Sequence, residues 1–336
     1  MNDSTYSIIR AGLRALKAEH SEREVAKLGV LRAGSTGIVL SDGAVAGKCA
    51  RQTYLRLEGI DADELDESRE FMFAAGRSNE DIWVELLVRG GIPRDHIKRE
   101  DEVPISWTTK SGRLVSGRPD IVLGRPNDAG VWTPYKGLEL KLVSSLWSAR
   151  DVALKGEPKS MHLMQAAHYF WKLGVPAFEL WYTSRADFAI PFGKFWPNPG
   201  EKGSEYLVYK NGKALKLVPF KVGYELRWST DGVDRLEFKR VVETGGMPYR
   251  WQGTIITKKG IEDYFELVDA IANDLSDELP PRPENLTATG ELGNYSICDY
   301  CPLSQVCDKR EDAGKAAWVK AVKEWVPMLP TKGSLK

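Results

Sequence analysis

The chain has 336 residues, of which 42% are hydrophobic and 28% charged, and its 47 basic and 47 acidic side chains balance to a net charge of zero. This length supports one large domain or two, and no apolar stretch is long enough to span a bilayer. The start MNDSTYSIIR lacks the residue order of a signal peptide, so we expect a cytoplasmic protein with reduced cysteines. The balanced charge gives no evidence for nucleic acid, and any nucleic-acid surface must therefore be a local patch.

Three helices are predicted in the first 90 residues of the chain. Residues 5–19 carry apolar and basic side chains at helical spacing, which a solvated helix face explains more simply than a DNA contact. Further helices are expected over 50–59 and over 67–88, the second ended by Gly90-Gly91.

The sequence pattern then changes to that of β-strands. Strands are expected at 99–106, 113–123 and 131–143. The last two are separated by the turn-rich segment RPNDAG, which predicts an antiparallel pair. A helix at 160–173 and a strand at 178–184 follow.

The rest of the chain combines hairpins, one helix and a cysteine loop. Residues 186–242 are strand-like, with turn signals at Asn211-Gly212 and Asp231-Gly232, and a helix is expected at 260–275. These patterns predict a mixed α/β fold with a β-hairpin-rich insert and a metal-bound cap. We expect four segments: an N-terminal helical segment at 1–65, a core at 66–185, the insert at 186–255 and a C-terminal helical segment at 256–336.

The four cysteines of the chain are placed as one metal site. Cys49 stands alone, and Cys298, Cys301 and Cys307 form a C-x2-C-x5-C run. Soft thiolates select zinc or iron–sulfur clusters, and three ligands from one loop with a distant fourth favour a [4Fe-4S] cluster. Zinc is the alternative occupant, and ordinary buried thiols or disulfides remain a third interpretation.

A second group of chemistry-bearing residues is predicted on the central strands. Glu139 and Lys141 are two apart on a strand and so share a face. If the preceding strand pairs with this one, Asp120 lies beside Glu139, and the two carboxylates suit Mg²⁺ or Mn²⁺. Phosphodiester hydrolysis uses such a metal with a neighbouring ammonium group, although Glu-x-Lys alone also occurs on solvated strand faces.

Four further residues are candidates by their positions in the chain. Glu80 lies in the helix that precedes the strands and can complete the metal shell, or face solvent. Gln165 and Tyr169 are four apart on one face of a later helix. His162 can reach the same face, where we expect a structural or phosphate-contacting role.

The motifs GRPD, ELK and Q-x3-Y, bracketed by Cys49 and the C-x2-C-x5-C run, resemble the RecB-like branch of the PD-(D/E)XK nucleases. They are most similar to its iron–sulfur members, such as the AddB nuclease domain and the CRISPR-adaptation nucleases. The resemblance covers most of the chain and implies a restriction-endonuclease-like core, a central mixed sheet flanked by helices, with an iron–sulfur cap joining the N- and C-terminal segments.

The resemblance also implies roles for individual residues. The catalytic set would be Asp120, Glu139, Lys141, Gln165 and Tyr169, with Glu80 as a further metal ligand. Many relatives have histidine at the position of Glu80.

The implied function is a Mg²⁺- or Mn²⁺-dependent DNA nuclease acting on single-stranded DNA or DNA ends, in recombination, repair or phage or CRISPR DNA processing. The alternatives are a structure-specific endonuclease and a catalytically idle DNA-binding recombination partner. The chain has no phosphate-binding G-x4-G-K-[ST] loop, so a helicase partner would have to supply any ATP-driven movement.

Overall fold

The computed structural model describes residues 29–39, 45–60, 67–143, 157–184, 189–191, 207–210, 213–217, 221–241 and 249–274, and positions 12, 15, 152, 301, 303 and 307. The helices of this part are α1 (Ala50–Leu57), α2 (Glu67–Arg89), α3 (Ser160–Leu173) and α4 (Lys258–Asp274). Each of them agrees with a helix predicted from the sequence.

The strands are short, apart from three that cross the centre of the molecule. They are β1 (Leu31–Arg32), β2 (Gly37–Val39), β3 (Val45–Gly47), β4 (Ile97–Arg99), β5 (Ile105–Thr108), β6 (Leu114–Gly117), β7 (Ile121–Pro126), β8 (Trp132–Val143), β9 (Ala177–Ser184), β10 (Ala189–Pro191), β11 (Leu207–Lys210), β12 (Lys213–Leu217), β13 (Lys221–Trp228), β14 (Leu236–Arg240) and β15 (Gln252–Gly253). The fold is mixed α/β, as predicted.

The principal sheet has seven strands in the order β15-β14-β13-β9-β8-β7-β4. β7 and β8 form the antiparallel pair that the RPNDAG turn predicts. β8 and β9 are parallel, and parallel neighbours need a crossover connection, which contains α3. The crossover fixes α3 next to the two central strands.

Successive side chains of β8 point to opposite faces of the sheet, and a separate apolar cluster lies on each face. Leu138 and Leu140 belong to a cluster that includes Val84 of α2. The opposite face of the sheet belongs to a larger cluster that includes Tyr169 of α3 and Leu180 of β9. The sheet is therefore flanked by helices, with α2 on one face and α3 on the other.

The hairpin-rich segment contributes to two sheets. β13 and β14 extend the principal sheet, whereas β10, β11 and β12 form a separate three-stranded sheet. The Asp231-Gly232 turn connects β13 and β14, and Gly232 has the positive φ of 84° that such turns favour. β11 and β12 flank Asn211-Gly212, whose two residues lie outside the described part.

Two of the strand predictions are wrong, because each predicted strand is divided into two shorter strands. The segment 99–106 turns after Arg99, where the Glu102 amide donates to the Arg99 carbonyl at 2.8 Å, and its two ends enter different sheets as β4 and β5. The segment 113–123 breaks between β6 and β7 at Arg118-Pro119-Asp120. Proline has no amide hydrogen for a strand ladder, so pairing stops there.

Other expectations lie outside the described residues. The helix at 5–19 is described only at positions 12 and 15, which are helical, and Cys298 is not described. No helix in the described ranges is long and apolar enough to cross a membrane.

His168 of α3 anchors a buried polar chain in the larger core. Trp107 donates its indole hydrogen to His168 Nε2 at 3.0 Å, so the ring hydrogen must be on Nδ1, 2.8 Å from Thr36 Oγ1. The Thr36 hydroxyl in turn donates to the Ala33 carbonyl. Burial lowers the pKa of His168 to about 3, with a smaller contribution from the Lys172 ammonium.

We predict that this histidine makes the fold acid-sensitive. The unfolded chain takes up a proton near pH 6.5 that the folded ring binds only near pH 3, so this part of the stability is lost as pH falls through that window. The expected loss between pH 7 and pH 4.5 is about 2–3 kcal/mol in the free energy of unfolding.

Urea unfolding of wild type and His168→Gln at several pH values measures the effect. Glutamine is neutral throughout, so subtracting its pH profile removes the contribution of carboxylates common to both proteins. Parallel pH profiles would contradict the prediction.

Candidate active site

Asp120 and Glu139 are adjacent because β7 and β8 pair in one register. Ile121 is the partner of Leu138, and Asp120, one residue before β7, is therefore beside Glu139. The Asp120 carboxylate accepts a hydrogen bond from the Leu140 amide at 2.6 Å, which holds it against β8. The predicted juxtaposition of these two carboxylates is present.

Glu139 and Lys141 share the face of β8 opposite to Leu138 and Leu140. The Lys141 ammonium donates to Glu139 Oε1 at 2.5 Å, with the glutamate side chain fully buried and the lysine side chain 20% exposed. The other carboxylate oxygen, Glu139 Oε2, is buried without a hydrogen-bond partner. A buried carboxylate oxygen without a partner is costly unless a cation or a donor arrives.

The electrostatics of these groups favour an added positive charge. Burial raises the pKa of Glu139, and the neighbouring Asp120 charge raises it further against the effect of Lys141. Burial also raises the pKa of Asp120, opposed by Lys141 and by the Leu140 amide. The pKa of Lys141 is raised: burial lowers it, but Glu139 and Asp120 outweigh that effect. The lysine therefore remains an ammonium.

Gln165 and Tyr169 form one hydrogen-bonded unit on α3. The Gln165 amide nitrogen donates to the Tyr169 hydroxyl at 3.1 Å. Burial holds the pKa of Tyr169 well above its usual range, and the Glu139 charge adds to this, so the hydroxyl stays protonated beside the carboxylates. The ring lies against Gly117, at the end of β6, which places the tyrosine next to the GRPD segment.

Glu80 reaches the carboxylates from α2, on the other face of the sheet. It forms a salt bridge with Arg99 at 3.2 Å, and Arg99 also binds Asp81 at 2.5 Å. Burial raises the pKa of Glu80 to about 7, and the Asp120 charge contributes to the shift. Glu80 is thus close enough to Asp120 for their charges to interact, while its own carboxylate accepts a hydrogen bond from the Arg99 guanidinium.

The described ranges contain no group of three or more His, Cys, Asp or Glu side chains arranged to hold a metal ion. The orphaned oxygen of Glu139 beside Asp120 nevertheless fits a divalent cation, with the two carboxylates as its protein ligands.

The described cysteines come together from the two ends of the chain. Burial, with smaller contributions from the nearby Cys301 and Cys307, raises the pKa of Cys49 to about 11. Arg51, the buried second residue of α1, donates to Cys307 Sγ at 3.7 Å. Three partly buried thiols and a guanidinium fit a site whose ligands become thiolates when a metal binds.

Sequence reasoning identified His162 but not Tyr182, the side chain that contacts it. The Tyr182 hydroxyl accepts from the Lys159 amide at 3.1 Å and is 3.2 Å from His162 Nδ1. Tyr182 is the register partner of Lys141 on the neighbouring strand. The alternation in FELWYTS puts Leu180 and Tyr182 on one face of the strand, and this pattern could have indicated that Tyr182 lies on the same side of the sheet as the site.

We predict that Gly117→Ala disrupts the site through packing. An added Cβ would lie 2.5 Å from Ala33 Cβ and 2.7 Å from Tyr169 Cε1, so the tyrosine must move. Such overpacking costs about 1–3 kcal/mol. Urea unfolding measures the loss.

Gly76→Ala is the matched control. Gly76 is inside α2, and nothing lies within 4 Å of an added Cβ. Removing a helix glycine there should stabilise the protein by about 0.5–1 kcal/mol. Equal stability of the two variants would show that Tyr169 does not need the space left by the missing side chain of Gly117.

Comparisons with known proteins add little to this geometry. No protein-family model and no curated protein matches the sequence. Among solved structures, the crystal structure of SSO0001 is similar with a TM-score of 0.34 and 17% identity, over 53% of this chain and 73% of that chain. A similarity at this level establishes neither a shared fold nor a shared function.

Proposed function

We propose that the chain is a metal-dependent DNA nuclease of the RecB-like PD-(D/E)XK type that hydrolyses phosphodiester bonds. The observation that carries the proposal is the fully buried Glu139, with Lys141 on one oxygen, no partner on the other, and Asp120 beside it. A cation held by these two carboxylates would offset the electrostatic cost of burying them. The sheet flanked by α2 and α3 supports a restriction-endonuclease-like core.

Asp120 and Glu139 would hold one Mg²⁺ or Mn²⁺ ion. Mg²⁺ is commonly bound by one or two carboxylates together with waters and phosphate oxygens, so two protein ligands are sufficient. When bound, the ion polarises a phosphate oxygen and lowers the pKa of a bound water. Glu80 would act on the site through its charge and its link to Arg99.

Lys141 would act on the scissile phosphate as a fixed positive charge. Because Glu139 and Asp120 keep it protonated, it can orient the attacking water and stabilise negative charge that develops on the phosphate. Tyr169 and Gln165 would position the substrate strand beside the carboxylates. Their mutual hydrogen bond keeps both side chains in place.

We further propose that the cysteines hold a [4Fe-4S] cluster. Cys49, Cys301 and Cys307 would be three ligands, and Cys298 of the same run the fourth. The cluster would supply no step of hydrolysis. Its contribution would be structural, since it would tie α1 to the C-terminal segment by bonds stronger than the weak Arg51–Cys307 contact.

The proposed substrate is single-stranded DNA or a DNA end. A cap joining both ends of the chain beside the carboxylates favours threading of a narrow strand over binding of closed duplex. Covalently closed single-stranded circles test this point. Their survival while linear strands are degraded would support an exonuclease, and their rapid cutting would favour the endonuclease alternative.

We predict that Glu139→Gln abolishes Mn²⁺-dependent cleavage of end-labelled DNA. The glutamine amide keeps the shape of the side chain but lacks the negative charge that would bind a cation. The rate of DNA cleavage should therefore fall at least about 100-fold. Without a divalent ion the variant should stay folded, since the amide oxygen can still accept from Lys141 and the Asp120 charge still stabilises that ammonium. Asp120→Asn should also lose cleavage, and Lys141→Met should retain Mn²⁺ binding but lose turnover.

Glu179→Gln is the matched control for Glu139→Gln. Glu179 lies on the adjacent strand, facing the other side of the sheet, where it is paired with Lys136 at 2.6 Å. Its variant should cleave within about twofold of wild type, because this partly buried pair, which Trp181 also joins at 2.7 Å, lies on the face of the sheet away from the carboxylates. Wild-type cleavage by Glu139→Gln would refute the proposed site, and no cleavage by wild type would favour the idle DNA-binding alternative.

We predict that protein purified without oxygen is brown and contains iron and sulfide in equal amounts. Cys49→Ser and Cys301→Ser should each reduce the iron content and lower the melting temperature, since metal bound to thiolates stabilises the folded chain. Colourless wild-type protein containing zinc would overturn the cluster assignment. Unchanged melting of both variants would show that the site does not stabilise the fold.

A further inference from the structure

The Tyr182 hydroxyl holds the ring of His162 near the beginning of α3. This hydroxyl accepts a hydrogen bond from the Lys159 amide at 3.1 Å and is 3.2 Å from His162 Nδ1. Tyr182 is 2% exposed, and burial holds the pKa of its hydroxyl well above the usual range, so the hydroxyl keeps its hydrogen. A buried hydroxyl hydrogen needs an acceptor, and among the described residues His162 Nδ1 is the acceptor within reach.

This hydrogen bond determines which nitrogen of His162 carries the ring hydrogen. A ring nitrogen that accepts a hydrogen bond has no hydrogen of its own, so the neutral ring carries its hydrogen on Nε2. Burial lowers the pKa of His162, and the Lys141 ammonium lowers it further, which keeps the ring neutral. In the part of the chain that the structure describes, no acceptor is bonded to Nε2. The ring is only partly buried, so a ligand can reach this donor.

Two features of the fold place His162 beside the carboxylate site. It lies three residues before Gln165, so the two side chains share one face of α3. Tyr182, which the ring contacts, pairs in register with Lys141 of β8. Register partners on adjacent strands lie on the same face of the sheet, and on that face the Lys141 ammonium binds Glu139. His162 is therefore next to the group proposed to act on the scissile phosphate.

We propose that His162 is a further catalytic residue, whose Nε2–H group donates a hydrogen bond to a non-bridging oxygen of the scissile phosphate. The inference rests on the proposed function, because it assumes a DNA strand whose phosphate lies at Asp120 and Glu139. A neutral donor suits this place, since Lys141 would repel a second positive charge. The hydrogen bond strengthens as negative charge develops on the phosphate oxygens, and Nε2 keeps its hydrogen throughout.

His162→Asn and His162→Gln separate the two edges of the ring. An asparagine carbonyl lies near the place of Nδ1 and can still accept from Tyr182, but asparagine has no donor at the place of Nε2. A glutamine amide reaches the place of Nε2 and supplies that donor. With full-length protein, Mn²⁺ and end-labelled single-stranded DNA, His162→Asn should lower kcat about 100-fold and leave KM within about twofold. His162→Gln should stay within about 10-fold of wild type.

A purely structural role of His162 predicts the opposite order of these variants, since asparagine keeps the contact with Tyr182. Cleavage by His162→Asn that is as fast as cleavage by His162→Gln would overturn the proposal. His96→Asn is the matched control, because His96 lies in the short 3-10 helix before β4 and has no place in the proposed site. This variant should cleave like wild type.

Sulfur in place of one non-bridging oxygen of the scissile phosphate locates the contact, because sulfur is the poorer hydrogen-bond acceptor. Wild type should cleave one of the two diastereomers about 10-fold more slowly than normal DNA. In His162→Asn the same sulfur should have little further effect, as expected when both changes remove one interaction. Equal slowing of the two proteins with both diastereomers would overturn the proposal.

The ring hydrogen of His162 is observed directly in ¹⁵N spectra of the full-length Glu139→Gln protein without divalent ions. At neutral pH, Nε2 should have the shift of a protonated ring nitrogen and Nδ1 that of an unprotonated one. Adding a single-stranded oligonucleotide should move the Nε2 signal. The reverse tautomer, or an Nε2 signal that DNA does not move, would overturn the proposal even if His162→Asn does not fold.

These results distinguish failure of the inference from failure of the proposed function. If wild type cleaves DNA and His162→Asn cleaves equally fast, the histidine contact is wrong and the nuclease assignment stands. If wild type cleaves no DNA under any of these conditions, the nuclease assignment is wrong and the catalytic role of His162 is refuted with it.

Discussion

The fully buried carboxylate of Glu139 is the constraint on which the rest of the site depends. Burying a charge is unfavourable by several kcal/mol, about 3–5 when one partner of a buried pair is missing. Lys141 binds one oxygen of this carboxylate, and the other oxygen is buried without a hydrogen-bond partner. The fold therefore carries a built-in preference for a cation at that point, which supports the proposed chemistry.

The same strand serves packing and chemistry because its two faces differ. Leu138 and Leu140 bury the α2 side of β8, and Glu139 and Lys141 face the α3 side. Shifting the register by one residue would put both charges into the apolar cluster beneath α2, so the core itself specifies the register. The register that buries the two leucines is thus the register that brings the charged side chains together.

Much of this was predictable from local pattern. The β8 strand, its antiparallel pairing with β7 and the closeness of Asp120 to Glu139 follow from alternation and one turn. The break after Arg99 was not predicted, since it depends on two hydrogen bonds between Arg99 and Glu102 that form only when the chain turns. The partners of His168 also escaped prediction, because Thr36 and Trp107 lie 132 and 61 residues away in the chain. Such pairings arise only from tertiary packing.

The connection of Arg51 to Cys307 spans 256 residues, whereas β7 and β8 are joined by one short turn. Contacts between residues that are close in sequence lose less entropy on loop closure than contacts between distant residues, and they form early. On the ribosome, every residue of the carboxylate site emerges before Cys298, Cys301 and Cys307 are made. The order of synthesis thus sets an order of assembly, in which the thiol site can close only after the hairpin bearing the carboxylates has been made.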